Sequence, residues 1–327
     1  MPKPLTISIA MCTYNGERFL QEQLDSFLAQ TRLPDELVVC DDGSQDGTVA
    51  ILEAFAAQAP FPVRLFINPQ NLGFSKNFEK AISLCQGDII ALSDQDDVWL
   101  PEKLEYFEKI FLDNPIIGLV FCDAIMVDED LNPLGYSVWD YYGFNFKYSL
   151  TFKPGEFTEI LFKRSAIAGA MVAFRTVVRD FIVSSANGWV YDQWIPFAAS
   201  IHVGVAATPK KLNIYRQHGG QCCGLKLYNS IDSFKISISF SRDHYNNLAK
   251  KWTNALSHLK SNNKSIVNNK ILCAIERKID HLKTRAQMPR ERLKRFPIIF
   301  VELITGRYKK FSSGWKSALK DFFWQLG

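Results

Sequence analysis

ELVVCDDGSQDGT, residues 36–48, carries the pattern that decides the fold. Glu36–Asp41 is a short apolar run that closes on two neighbouring carboxylates, Asp41 and Asp42. Gly43 then permits a tight turn, and Asp46 is placed to cap the helix expected over Asp46–Ala59. A buried strand, a polar tip, a turn and a helix are the repeating unit of a doubly wound α/β sheet.

The same unit recurs on either side. Leu5–Cys12 reads as a strand, and Phe19, Leu20, Leu24, Phe27 and Leu28 follow at helical spacing. Downstream, strands at Val63–Ile67, Asp88–Leu92 and Ile116–Val127 alternate with helices at Phe74–Leu84 and Pro101–Leu112, the latter with proline at its start. The expectation is an α/β, mostly parallel sheet. From about residue 150 the alternation fades, with strands expected at Ala170–Phe174 and Lys211–Arg216 and helices at Thr176–Ala186 and Tyr191–Ala199. After residue 228 the chain reads as helical, with breaks near Ser261–Lys264 and Met288–Pro289. The expected division is a catalytic body over 1–225 and a helical C-terminal extension over 226–327.

Ligands of such sheets bind outside the carboxyl ends of the strands. Three consecutive strand ends carry polar clusters: Thr13-Tyr14-Asn15, Asp41-Asp42-Gly43-Ser44 and Ser93-Asp94-Gln95-Asp96-Asp97. They should face one crevice. The last belongs to SDQDDVW, residues 93–99, where Asp94, Asp96 and Asp97 crowd together. Such crowding is repulsive unless a positive charge is present. A hard divalent cation, Mg²⁺ or Mn²⁺, suits it, and such a cation completes its shell with phosphate oxygens, which points to a diphosphate ligand. Without a ligand, the same run is a solvated acidic loop.

The 327 residues are 47% hydrophobic and include 25 Phe, a composition that excludes disorder and allows a large core. The net charge of +4 conceals an asymmetry. Residues 1–226 hold 18 Lys+Arg against 27 Asp+Glu, and residues 227–327 hold 20 against 7. Cys12, Cys40 and Cys122 lie in apolar runs, Cys222 and Cys223 are adjacent, and no CxxC pair occurs, so reduced thiols are expected. No signal-peptide pattern opens the chain, and the apolar stretch Phe296–Ile304 is too short to span a bilayer. A cytoplasmic protein, soluble or peripheral on the membrane, is expected.

MCTYNGERFL (11–20), CDDGSQDGT (40–48), NLGFSKN (71–77) and SDQDDVW (93–99), in this order and spacing, resemble glycosyltransferase family 2, whose fold is of the GT-A type. The resemblance covers about the first 220 residues, and the SDQDDVW wording is similar to the rhamnosyltransferase-like branch. It implies an inverting, metal-dependent transferase that moves a sugar, rhamnose or another hexose, from a dTDP- or UDP-sugar to a glycan or lipid-linked acceptor in cell-surface polysaccharide synthesis such as that of O-antigen. By motif, Thr13, Tyr14, Asn15, Asp42, Lys76, Asp94 and Gly169 would bind the nucleotide-sugar. Tyr14 would pack on the base, Asp42 would accept from its N3–H, and Lys76 stands where the family often has arginine. Asp94 and Asp96 would hold the metal, with His218 of IYRQHGGQ (214–221) reaching the metal or the diphosphate. Gly169 of AGAM (168–171) resembles the glycine loop near the donor sugar. Asp192 of VYDQW (190–194) would be the catalytic base. Tyr191 stands before it, where the family commonly has glutamate or histidine. From the residues alone, Asp192 is as readily a helix cap as a base.

Two other enzyme classes fit less well. A sugar nucleotidyltransferase needs a Gly-rich basic loop after the first strand, where CTYNGERF stands, and a dinucleotide dehydrogenase needs GxGxxG there. A non-catalytic nucleotide- or glycan-binding module would not need the metal carboxylates. At the C-terminus Trp315, Leu319, Phe322, Phe323 and Leu326 share one helical face flanked by Lys316 and Lys320. That face either packs on the protein or lies on an anionic membrane. No nucleic-acid-binding motif is present.

Overall fold

A computed structural model describes residues 4–144, 146–163, 167–182, 185–221, 241–261 and 267–324. Cys222, Cys223 and Leu326 lie outside them. The chain forms two compact units: Met1–Pro154 with Ala166–Ser185 and Val190–Leu225, and Gly155–Ser165 with Ala186–Trp189 and Lys226–Gly327.

The first unit is built on a ten-stranded sheet. In chain order its elements are β1 (Ile7–Thr13), α1 (Glu17–Leu28), β2 (Glu36–Asp41), α2 (Thr48–Gln58), β3 (Val63–Ile67), α3 (Phe74–Leu84), β4 (Ile89–Ser93), β5 (Val98–Trp99), α4 (Lys103–Asp113), β6 (Ile117–Val127), β7 (Pro133–Ser137), α5 (Val138–Tyr142) and β8 (Leu150–Phe152). After α6 (Thr158–Leu161), which belongs to the second unit, come β9 (Val172–Arg175), α7 (Arg179–Ile182), α8 (Tyr191–His202) and β10 (Gly204–Arg216). The sheet order is β3-β2-β1-β4-β9-β6-β10-β5, with β7 on β6 and β8 on β10. The four strands from β3 to β4 are parallel, as are β6 and β10. The helices cover the sheet, so β1, β2 and β4 are buried throughout, which is why they read as continuous apolar runs rather than as alternations. Beneath α1 and α4, Phe27, Trp99 and Phe107 pack in the core.

Of the helix expected over Thr176–Ala186, the described residues start as a 3₁₀ turn at Thr176–Val178 and continue as α7, and 183–184 lie outside the described residues. β-branched Thr176, Val177 and Val178 are poor helix formers. Conversely, β10 starts at Gly204, well before the expected Lys211. Pro209 reads as a strand stop but falls within a register shift between Thr208 and Lys211, where a bulge accepts a residue without N–H.

The second unit adds α9 (Arg242–Ser261), α10 (Asn269–Ala286), α11 (Arg292–Ile304), α12 (Arg307–Phe311) and α13 (Trp315–Phe323). Among the described residues no helix is long and apolar enough to cross a membrane.

Candidate active site

The parallel order β2-β1-β4 puts the three polar strand tips on one edge. Thr13 lies opposite Asp41, and Met11 opposite Ser93, in register. They border a cleft of about 650 Å³ lined by Thr13, Tyr14, Asp42, Asp94, Asp96, Gly169 and Asp192 among others. The tips are stitched together. The Gln95 side chain accepts from Tyr14 N at 2.8 Å and donates to Tyr14 O at 3.1 Å.

At one end Asp42 is buried and accepts from Asn68 Nδ2 (2.7 Å) and from the backbone N–H of Leu72 (2.8 Å) and Gly73 (2.9 Å). It therefore shapes the NLG turn that leads into α3, where Gly73 sits at φ +79°. Tyr14 is half exposed beside it. Asn15 has φ +47°, and its side chain accepts from Gln45 N, which braces the loops behind the cleft. Lys76 is exposed on α3 and does not line the cleft.

At the other end stands the Asp94–Asp97 run. Two-residue β5 pairs antiparallel with β10, which carries Arg216 and leads to His218. Arg216 Nε donates to the Asp96 carbonyl (2.9 Å), its Nη1 donates to the Glu129 carbonyl (2.7 Å), and its Nη2 pairs with Glu22. His218 Nε2 lies 2.8 Å from Asp96 Oδ2. Asp97 is buried and is held by Asn213 Nδ2 (2.9 Å) and Arg216 N (3.2 Å). Its role is to fix the loop. Lys103 completes the anchorage, with Nζ donating to Asn213 Oδ1 (2.8 Å) and to the Ala170 carbonyl (2.7 Å) while lying 3.7 Å from the Trp99 ring centroid. Burial pulls its ammonium down to about 8. One buried cation thus ties the acidic loop to the glycine loop.

Asp94 Oδ1 lies 3.2 Å from the Tyr191 hydroxyl, and the Tyr191 ring stacks on Phe78 at 4.0 Å. Burial, followed by the charge of Asp96, pushes the Asp94 carboxyl up to about 7. That penalty is one a cation would relieve. Among the described residues no three His, Cys, Asp or Glu side chains converge as a ready metal cage. Asp94 and Asp96 still suit a cation that takes one or two carboxylates plus ligand phosphates. Asp192 lies in the first turn of α8 and lines the cleft, while Val190 is the N-cap and makes no side-chain cap bond, so the cap reading of Asp192 does not hold. Pro196, four residues on, cannot donate to the Asp192 carbonyl, which is left to face other partners.

Sequence reading missed the aromatic wall of Phe74, Phe78, Tyr141, Tyr142 and Tyr215, because a lone aromatic reads as core. Gly169 has a steric reason. A Cβ there would sit 2.5 Å from the Tyr191 hydroxyl and 2.6 Å from its ring. Gly169→Ala should displace Tyr191 from Asp94, costing about 1–3 kcal/mol of stability for the overpacking. Melting curves and initial rates check this, with rates expected to fall by more than the melting shift alone explains.

The family profile for glycosyl transferase family 2 matches residues 8–175. An uncharacterized protein of Mycobacterium tuberculosis is 26% identical over 223 residues, 65% of this chain, and the match spans 59% of that relative's own length. A dTDP-rhamnosyl transferase of Shigella flexneri, RfbG, is 35% identical over 118 residues, 35% of this chain and 38% of the relative. Among solved structures, Staphylococcus aureus TarS 1-349 in complex with UDP-GlcNAc superposes with a TM-score of 0.58 at 16% identity, over 90% of this chain and 75% of that one. The superposition bears out the GT-A-type fold with C-terminal helices.

Proposed function

The chain belongs to glycosyl transferase family 2, and from that premise we propose that it is a metal-dependent inverting glycosyltransferase. The reading is carried by one observation: Asp42 after β2, Asp94 and Asp96 after β4, and Asp192 on α8 line a single cleft. The donor is a dTDP- or UDP-sugar. Rhamnose is favoured by the SDQDDVW wording and by the Shigella relative's name. The acceptor is a glycan or lipid-linked glycan of a cell-surface polysaccharide, and the enzyme works at the inner face of the plasma membrane.

In this account Tyr14 packs on the base, and the Asp42 edge accepts from its N3–H. Asp94 and Asp96, with His218 behind Asp96, would hold Mg²⁺ or Mn²⁺, which supplies positive charge for the leaving diphosphate. Asp192 takes the proton of the acceptor hydroxyl. The freed oxygen bonds to the anomeric carbon as the bond from that carbon to the diphosphate oxygen breaks. In-line displacement inverts the configuration. The glycine loop, held by Lys103, keeps the sugar in line.

A screen of dTDP-, UDP- and GDP-sugars with Mn²⁺ or Mg²⁺, read as hydrolysis or transfer, tests the proposal. Inactivity with every donor counts against it. Proton competition at Asp94 predicts a further result. Its carboxyl titrates near 7 when no cation is bound, so below that pH a proton must leave before a cation enters. Mn²⁺ affinity should therefore weaken by about tenfold per pH unit below 7 and level off above it, as measured by calorimetry in two buffers of different ionisation heat. A flat profile between pH 5 and 8 contradicts the assignment.

A further inference from the structure

Two helices of the second unit turn their polar side inwards. In α11, Arg295 and Glu302 are buried, while Leu293, Phe296, Phe300, Val301 and Ile304 face outwards, Leu293 85% and Ile304 67% exposed. Positions 293, 296, 300 and 304 recur at i, i+3 and i+4 spacing, so they form one stripe. α13 repeats the arrangement: Ser317, Ala318 and Asp321 are buried, and Trp315 is 66% exposed, with Leu319 and Phe323 beside it on the same side.

The inversion has a cause. Arg285 forks onto Asp321 at 2.8 and 2.6 Å, and the Tyr308 hydroxyl donates to the same carboxylate at 2.6 Å. Arg295 donates to the carbonyls of Pro289 (2.6 Å), Asp321 (3.0 Å) and Trp324 (2.9 Å). Glu302 takes Arg307 at 2.8 Å and bonds His281. Charge-assisted bonds of this kind are directional and strong. They decide which side of each helix points in, and the apolar stripes are left outside. The two helices adjoin, with the Arg292 guanidinium of α11 5.9 Å from the Phe323 ring centroid of α13. A contiguous apolar patch marks an interaction surface.

Charge selects the occupant. Residues 227–327 carry 20 Lys+Arg against 7 Asp+Glu, and two of those acids, Glu302 and Asp321, are buried in ion pairs. Arg292, Lys294, Lys316 and Lys320 border the stripes. A second copy of this chain would bring like charge against like. An anionic lipid surface satisfies both the apolar stripe and its basic rim. We propose that α11 and α13 dock the protein onto an anionic bilayer, with Phe296, Phe300 and Trp315 at the headgroup–acyl boundary. The inference rests on transfer to a lipid-linked acceptor, for which a bilayer-docked enzyme is the working form.

Co-sedimentation of the full chain with phosphatidylcholine vesicles, with and without about one-third phosphatidylglycerol, tests it. The wild type should pellet with the anionic vesicles at low salt and be released at high salt. Phe296→Ser with Phe300→Ser, and separately Lys316→Glu with Lys320→Glu, should each weaken binding by about tenfold or more. All four positions lie outside the cleft, so melting temperature and Mn²⁺-dependent nucleotide binding should stay as in the wild type. Three results overturn the proposal: a wild type that stays in the supernatant, a serine pair that pellets like the wild type, or a lipid-free dimer that the serine pair abolishes. Vesicle binding by a protein that binds no nucleotide leaves the surface standing and removes only the catalytic reading.

Discussion

Asp192→Asn is expected to lower turnover by about 10²–10⁴-fold, the usual contribution of a general base, while Mn²⁺-dependent nucleotide binding stays nearly unchanged. The variant also separates the two roles open to a carboxylate at the first turn of α8. The cap of α8 is Val190, with no side-chain cap bond, so a merely structural Asp192 would act through its charge at the helix N-terminus, about 0.3–1 kcal/mol, and Asn would lower the melting temperature slightly and leave the rate unchanged. As a base, the amide cannot accept the acceptor's proton, and the rate falls far beyond what that small loss of stability explains. Initial rates with the donor found by screening, alongside a thermal melt, decide between them. An unchanged rate removes Asp192 from the chemistry.

The second large effect is expected at Asp94. Asp94→Asn removes one of two carboxylates offered to the cation and, with it, several kcal/mol of charge stabilisation for the leaving diphosphate. A loss of about 10³-fold in kcat/KM follows. Stability should move the other way. Burial and the neighbouring Asp96 raise the Asp94 carboxyl above its ordinary value to about 7 in the folded chain. The folded state therefore holds a proton that the unfolded chain has already released, and stability declines as pH rises from the ordinary carboxylate range through about 7. Asparagine escapes that decline. In metal-free buffer the variant should melt higher than the wild type at pH 8, with the gap closing towards pH 4. A variant that melts lower at pH 8 contradicts the strain assigned to the acidic run.

The first half of the fold was legible because β1, β2 and β4 are buried throughout and β2 and β4 run into carboxylates. ELVVCDD and IIALSDQDD announce both a strand and its functional tip. The second half was harder to read. β9 enters the sheet antiparallel between β4 and β6, a choice made by long-range packing that no local period encodes, and the bulge at Pro209 disguises one long strand as a short one. Within the site, the sequence groups Asp97 with Asp94 and Asp96 in one acidic run, whereas the fold points Asp97 at Asn213 and Arg216. The anchor role of Lys103 was invisible, since a lysine beside a helix start reads as surface until its ammonium is found between Asn213 and the Ala170 carbonyl. In the sequence Tyr191 stands out only as a departure from the family wording. Its stacking on Phe78 and its reach to Asp94 make it the link between α8 and the acidic run.

The central claim is that the acidic run binds a sugar nucleotide's pyrophosphate through a divalent cation. Isothermal calorimetry of the full chain with dTDP and with UDP tests it most directly, in the presence of Mn²⁺ and again after chelation. The account predicts saturable heat for at least one nucleotide with Mn²⁺ and its disappearance both on chelation and in Asp96→Asn. No heat for either nucleotide with Mn²⁺, or equal binding after chelation, would contradict it.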